Sequence, residues 1–185
     1  LHDGGIITYG LGGFSYYYSR TRMAVTGTLT VNGAPLAVTG LAWMDHQWGN
    51  FITANGTGWD WFSVQLTNDT EYMVYFIRDA TGRTIATVGS LIDAQGITHA
   101  VASSGISETV TDHWTSPTTR VVYPSGWLLG LPDGSLTITP LVRDQELITT
   151  LTTGNTYWEG ACAVTGTIGS QPVTGEGYTE LTGYQ

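Results

Sequence analysis

The sequence predicts an all-β protein built from antiparallel strands, closed as a barrel or packed as a sandwich, with almost no helix. Composition is the first reason: 11% of residues are charged, while 25 glycines, 7 tryptophans, 10 tyrosines and abundant threonine supply turns and half-buried pleated surfaces. Periodicity is the second, because apolar and polar residues alternate over short runs. The third is punctuation, since turn signals separate those runs at close spacing. A chain of 185 residues can bury roughly 70% of its unfolded surface as one unit. No linker, repeat or low-complexity run divides it, so residues 1–185 read as a single domain.

The elements follow in order. Ile6 to Tyr9 reads as a short strand. Between Arg22 and Val31, Met23, Val25, Leu29 and Val31 share one parity and Arg22, Thr26, Thr28 and Thr30 the other, so one face should turn inward. Asn32-Gly33 is a strong type I′ hairpin signal, and Pro35 delays the return strand to Leu36–Met44. A loop is expected from residue 51 to Gly58, then a strand from Trp59 to Leu66 with Asn68-Asp69 as its turn. Glu71 to Arg78 is apolar on both parities and should be central, covered on both faces. Further strands are expected over Thr84–Ile92, Ile97–Val101, Ile106–Trp114, Gly126–Leu131, Ser135–Leu141, Thr156–Gly166 and Pro172–Glu180. The alternating end, Gly177 to Tyr184, is expected to close a barrel against the first strands and so remove exposed edges.

Charge excludes several functions. The net charge is -9, and all six basic residues are arginines, which argues against nucleic-acid binding. Without lysine there is no Schiff-base chemistry and no polybasic membrane patch. No apolar run approaches the roughly 20 residues that span a bilayer. Cys162, flanked by Ala161 and Ala163-Val164, reads as a buried core thiol. The four histidines are scattered away from ligand spacing, so neither a metal nor a cofactor is expected.

Candidate chemistry concentrates between Gly40 and Leu66, which holds four of the seven tryptophans. His46 and Trp48 share a face; the pair is either a structural histidine under an indole lid or one wall of a site. Asp45 lies on the opposite face and reads as a loop tie. Asp60 shares parity with Phe62, Val64 and Leu66. A carboxyl on an apolar face must be paired with an arginine or have a raised pKa, as a general acid would. Trp59 and Trp61, with Ser63 and Gln65, form either a ligand-facing wall or core. Tyr157-Trp158-Glu159-Gly160 is a second aromatic and acidic cluster, with Asp144-Gln-Glu146 upstream; an ion pair with Arg20, Arg22 or Arg143 is the plainer reading of its acids.

Taken together, Ser15-Tyr-Tyr-Tyr-Ser-Arg-Thr-Arg22, Gly40-Leu-Ala-Trp-Met-Asp-His-Gln-Trp-Gly49, Gly58-Trp-Asp-Trp-Phe-Ser63, Tyr123-Pro-Ser-Gly-Trp127, Asp144-Gln-Glu-Leu147, Tyr157-Trp-Glu-Gly160 and Gly177-Tyr-Thr-Glu-Leu-Thr-Gly-Tyr184 resemble the carotenoid 1,2-hydratase-like, or AttH-like, family. The resemblance runs along nearly the whole chain and implies a lipocalin-like β-barrel, similar to the C-terminal of the two such domains those proteins carry. It implies a hydrophobic ligand, isoprenoid or polyketide-like, and a secreted or envelope location. The family's His-x-Trp pair falls on His46 and Trp48. Its Tyr-x-Asp pair has no aspartate in Glu71–Arg78, where Tyr75 takes that place. The expected function is therefore binding of a hydrophobic small molecule, with acid-assisted hydration or cyclisation of an alkene if the barrel is catalytic. Asp60 and then Glu159 are the candidate acids beside His46, while Trp48, Trp59, Trp61, Tyr75 and Tyr157 line the ligand. The alternatives are a lipid carrier or a module that completes a partner barrel, and an N-terminal lipocalin-like domain or a second subunit is the expected partner.

Overall fold

The computed structural model describes residues 1–9, 13–50, 58–152 and 154–184. Fifteen strands run in order: β1 Ile6–Thr8, β2 Phe14–Val31, β3 Ala34–Asn50, β4 Gly58–Leu66, β5 Glu71–Arg78, β6 Thr84–Ile92, β7 Thr98–Val101, β8 Ser107–Val110, β9 His113–Thr115, β10 Val122–Pro124, β11 Trp127–Leu131, β12 Gly134–Pro140, β13 Glu146–Ile148, β14 Thr156–Ile168 and β15 Gln171–Thr182. Two 3-10 turns, Asp3–Gly5 and Ser103–Gly105, are the helical elements among the described residues, and no helix there is long and apolar enough to cross a membrane. The expected all-β, antiparallel class is what forms. The loop placed after residue 50 lies outside the described residues, Gly58 excepted.

The main sheet has the order β7-β6-β5-β4-β15-β14-β12-β11-β8, with β13 on β14. It curls into a barrel-like wall whose two edge strands, β7 and β8, are not paired with each other. They are joined through Ser103–Gly105, and Ile106 packs so close to β6 that a Cβ on Gly89 would meet its Cδ1 at 2.3 Å. Two expectations change here. The last strand, β15, lies mid-sheet between β4 and β14 rather than against the first strands, and backbone hydrogen bonds do not close the barrel among the described residues.

The lumen is filled by the chain's own side chains. Phe62, Tyr72, Trp127 and Trp158 are at most 2% exposed, and Phe62 meets Trp127 edge-on at 5.5 Å. They pack with Val64, Leu66, Val74, Leu129, Leu136 and Ile138 in one continuous core. Cys162 belongs to this core, and burial pushes its thiol up to about 11, which leaves it an inert thiol.

Asp60 faces into that core, as its parity predicts. Its carboxylate is paired with Arg78 at 3.1 Å and accepts the Tyr184 hydroxyl at 3.0 Å on each oxygen. Arg78 lies 4.1 Å over the Tyr184 ring and donates to the Thr182 carbonyl at 2.7 Å. Glu108 reaches the same group from β8 and hydrogen-bonds Asp60. This cluster therefore bridges β4, β5, β8 and the C-terminal end where the backbone ladder is open. One cation faces two carboxyls, so Glu108 keeps its proton: burial first, then the Asp60 charge, raise it to about 8.

The remaining long strands form a separate layer. β1, β2 and β3 make a three-stranded ribbon, nearly all of it a hairpin turned at Asn32-Gly33, whose φ values of 51° and 81° fit a type I′ turn. A β-bulge places Thr21 and Arg22 opposite Trp43, so even-numbered residues before it and odd-numbered ones after it share a face. The inner face, with Tyr17, Ser19, Trp43 and Asp45, lies over the outer face of β4 and β5, where Tyr17 packs with Trp61, Met73, Tyr75 and Ile77. The bulge also aims Arg22 at Glu71, which is 2% exposed, and at Asp69 at 3.2 Å. Beyond the bulge the ribbon projects away from the sheet. Val25, Leu29 and Val31, expected to face inward, are 39–57% exposed because no other layer reaches them.

The raised Glu108 sets the sign of a pH effect. Its ordinary value is 4.5 and its folded value about 8, so its stabilising contribution is full at acid pH and is lost as pH rises toward about 8. The thermal midpoint should fall between about pH 4.5 and about pH 8, and Glu108→Gln should flatten that fall, as calorimetry at several pH values would show.

Candidate functional site in the cleft between ribbon and sheet

The outer face of the main sheet carries a row of residues in register across four strands. Tyr75 on β5 pairs with Trp61 on β4, Trp61 with Glu180 on β15, and Glu180 with Glu159 on β14. The adjacent row runs Ile77, Trp59, Thr182, Tyr157. Neighbouring strands are about 4.8 Å apart, so side chains in each row touch. Trp59 meets Tyr75 edge-on at 6.2 Å and Tyr157 at 6.5 Å, and Trp61 meets Trp43 of the ribbon at 6.1 Å.

Between this surface and the ribbon lies a cleft of about 490 Å³, a volume suited to a small organic molecule. Trp43, Asp45, Trp61, Leu141, Tyr178 and Glu180 are among its lining residues. It continues inward as a recess of about 80 Å³ between Tyr17, Asp45, Gln47, Trp59, Trp61, Tyr75 and Glu180. Two carboxyls thus face one space from different layers, Asp45 from the ribbon and Glu180 from the sheet.

Their electrostatics differ. Glu180 accepts the Trp59 indole N–H at 2.8 Å. Burial raises it to about 7, that hydrogen bond lowers it, and the charges of Glu159 and Asp45 raise it further. Asp45 keeps an exposed edge at the cleft mouth, yet burial between the layers still raises its carboxyl. Ser19, Trp43 and Tyr17 oppose that rise by donating hydrogen bonds. Glu159 is raised by burial alone. Among the described residues no cluster of histidine, cysteine and carboxylates could hold a metal ion.

The structure divides the expected site residues. Trp59, Trp61, Tyr75 and Tyr157 come together with Glu159 on the outer face of the sheet. Asp60 is on the opposite side, paired with Arg78, and burial nevertheless raises its carboxyl, so both of its sequence readings hold together. His46 and Trp48 are on the ribbon's far face: their rings lie 4.6 Å apart, His46 Nδ1 meets the Tyr18 hydroxyl at 3.2 Å, and Trp48 is 45% exposed. Glu146, expected to pair with an arginine, instead accepts the hydroxyls of Ser116 at 2.6 Å, Thr119 at 2.5 Å and Tyr123 at 3.0 Å. Sequence reasoning passed over Glu180 and Asp45. Asp45 shares parity with Trp43, which was the available signal, whereas the pairing of Glu180 with Trp61 spans more than a hundred residues.

Comparison with known proteins places this architecture. The AttH-like family matches residues 4–184. The chain belongs to the AttH-like family. This AttH-like chain is similar to the crystal structure of an AttH homologue from Nitrosomonas europaea, with 36% identity and a TM-score of 0.86, covering 99% of this chain and 57% of that one. It is also similar to kievitone hydratase from Nectria haematococca, with 25% identity and a TM-score of 0.78, covering 96% and 55% respectively. The AttH-like chain therefore spans a little over half the length of both solved proteins. No curated protein matches it.

The single indole donor on Glu180 gives a direct check on these electrostatics. Trp59→Phe removes a hydrogen bond to the ionised form, so the Glu180 midpoint should move above about 7, measured by carbon-13 NMR titration of its carboxyl.

Proposed function

We propose that this chain binds a hydrophobic small molecule in the cleft between ribbon and sheet and adds water across a carbon–carbon double bond of it, with Glu180 as the acid. The observation that carries the reading is a carboxyl that holds its proton up to about pH 7 among Trp59, Trp61 and Tyr75, at the back of a cleft of suitable volume. Protonating an isolated alkene creates a cation, and it needs a proton donor kept from bulk water together with electron-rich ring faces to shelter the charge. Both are present in one recess. Similarity to kievitone hydratase supports hydration over other acid chemistry. An isoprenoid or polyketide-like substrate suits the indole and tyrosine lining. A lipid carrier would use the same cleft without needing the raised carboxyl.

The acid sets the pH dependence. Glu180 donates only while protonated, so the rate should fall as pH rises through about 7. Incubating the protein with a prenyl-chain alkene in oxygen-18 water should yield an alcohol carrying the label by mass spectrometry. Glu180→Gln should lower the rate at least about 10²-fold. An unaltered rate in that variant, or an unmodified lipid co-purifying with a protein that never turns over, would sink the hydration reading.

We propose in addition that a further lipocalin-like domain covers the ribbon's far face. That face is apolar along its length, from Phe14, Tyr16 and Trp48 at one end to Leu29 and Leu36 at the other, and it is open to solvent. A two-stranded ribbon is marginal by itself in water, and the solved relatives carry additional chain beyond the matched region. Such a domain would enclose His46 and Trp48. Leu29→Asp with Leu36→Asp should leave the thermal midpoint of this chain nearly unchanged and abolish its co-purification with that domain when both are expressed together.

A further inference from the structure

We propose that Asp45 is the base that takes the proton of the attacking water, and that His2, acting through Ser19, is the positioning residue that holds Asp45 ready for it. The proposal rests on the reading of the cleft as a hydration site.

The geometry is a chain of hydrogen bonds with one direction. The Ser19 hydroxyl donates to Asp45 Oδ1, which uses its only hydrogen. Ser19 therefore accepts from His2 Nε2, 2.7 Å away, and that fixes the hydrogen of the ring on Nε2. His2 Nδ1 is left as the acceptor of the Ser90 hydroxyl at 3.0 Å. Every donor in the series Ser90, His2, Ser19 points toward Asp45. The ring is neutral, because burial lowers it to about 4. His2 and Ser90 are 2% and 1% exposed, so the chain is fixed by packing, with the His2 ring 4.7 Å from that of Tyr17.

The consequence is a division of labour between the two cleft carboxyls. Asp45 accepts from Ser19, from Trp43 Nε1 at 2.9 Å and from Tyr17. Among the described residues, Glu180 accepts one cleft hydrogen bond, from Trp59. Three donors favour the ionised form and one favours it less, so Asp45 carries the charge while Glu180 keeps the proton. The groups facing Asp45 are Tyr17 on β2 and Glu180 on β15. Tyr17 faces His2, with Arg20, Arg22, Asp69, Glu71 and Asp93 around the recess on its other side.

The cycle then balances. Glu180 transfers its proton to one alkene carbon, a C–H bond forms and the π bond breaks, leaving the cation on the other carbon. The water oxygen bonds to that carbon as its proton passes to the Asp45 carboxylate. The product is an alcohol, Glu180 is ionised and Asp45 is protonated. One proton moves back from Asp45 to Glu180 across the recess they share, and nothing else is consumed.

Carbon-13 NMR titration of the Asp45 carboxyl in the wild type, His2→Phe and His2→Gln tests the positioning role. Phenylalanine fills the space without a donor, whereas the glutamine amide restores an N–H toward Ser19. Proton affinity at Asp45 should rise about tenfold in His2→Phe and return close to the wild-type value in His2→Gln. An unchanged Asp45 titration in His2→Phe, or an equal change in His2→Gln, overturns it. If His2→Phe does not fold, Ser19→Ala against Ser19→Thr makes the same comparison: a rise confined to alanine supports the chain, and no rise overturns it. Because the titration needs no substrate, a linked Asp45 in a protein that hydrates nothing would sink the hydration reading alone. Full turnover in Asp45→Asn would overturn the base assignment while leaving Glu180 as the acid.

Discussion

The cleft exists because the ribbon lies across the outer face of β4 and β5 and is held there by a buried charge. Glu71 is almost fully enclosed, and its carboxylate is answered by Arg22, which reaches it from the bulge. Breaking a buried pair of this kind typically costs about 3–5 kcal/mol, because it leaves one charge uncompensated. Gln65 adds a hydrogen bond to the carbonyl of Thr21 at 2.5 Å. These contacts pin the ribbon at its midpoint. On one side of the pin, aromatic packing of Tyr17, Trp43, Trp61 and Tyr75 makes the floor and roof of the cleft; on the other, the ribbon leaves the sheet altogether.

Strand β4 shows how the same wall serves two purposes. Its even-numbered residues, Asp60, Phe62, Val64 and Leu66, belong to the barrel interior, and its odd-numbered residues, Trp59, Trp61 and Ser63, to the outer face. Much of the interior is filled by the core, a pocket of about 920 Å³ opens at its end beside Asp60, Arg78, Glu108 and Tyr184, and the cleft lined by tryptophans lies on the outside, under the ribbon. The polar groups follow that division. Inside, Asp60, Arg78, Glu108 and Tyr184 neutralise one another and close the gap that the sheet leaves open. Outside, Asp45 and Glu180 remain only partly compensated and face empty space.

The two carboxyl pairs illustrate why a raised pKa by itself does not mark a catalytic acid. Glu108 is pushed up to about 8 and Glu180 to about 7, both first by burial. Glu108, however, hydrogen-bonds Asp60 beside a guanidinium stacked on a ring, in a cluster whose parts hold strands together. Glu180 stands against indoles at the back of a cleft. The two raised carboxyls therefore differ in their surroundings, a polar cluster around Glu108 and indoles around Glu180.

Much of the fold was legible because it depends on local rules. The alternation in Trp59–Leu66, the two-sided apolar run in Glu71–Arg78 and the Asn32-Gly33 turn each carry their own geometry. The motifs carrying the AttH-like resemblance could likewise be read directly. Parity also separated His46 from Asp45 and Asp60 from Trp61 correctly. What parity cannot say is which face looks at what. His46 and Trp48 looked like a site wall and face away from the cleft, because the bulge at Thr21-Arg22 and the anchor at Glu71 decide which side of the ribbon meets the sheet. Glu180 looked structural, because only long-range register brings it beside Trp61. Sequence determined the strands, their turns and the two faces of each; the tertiary structure decided which faces were covered, since that depends on contacts between residues far apart in the chain.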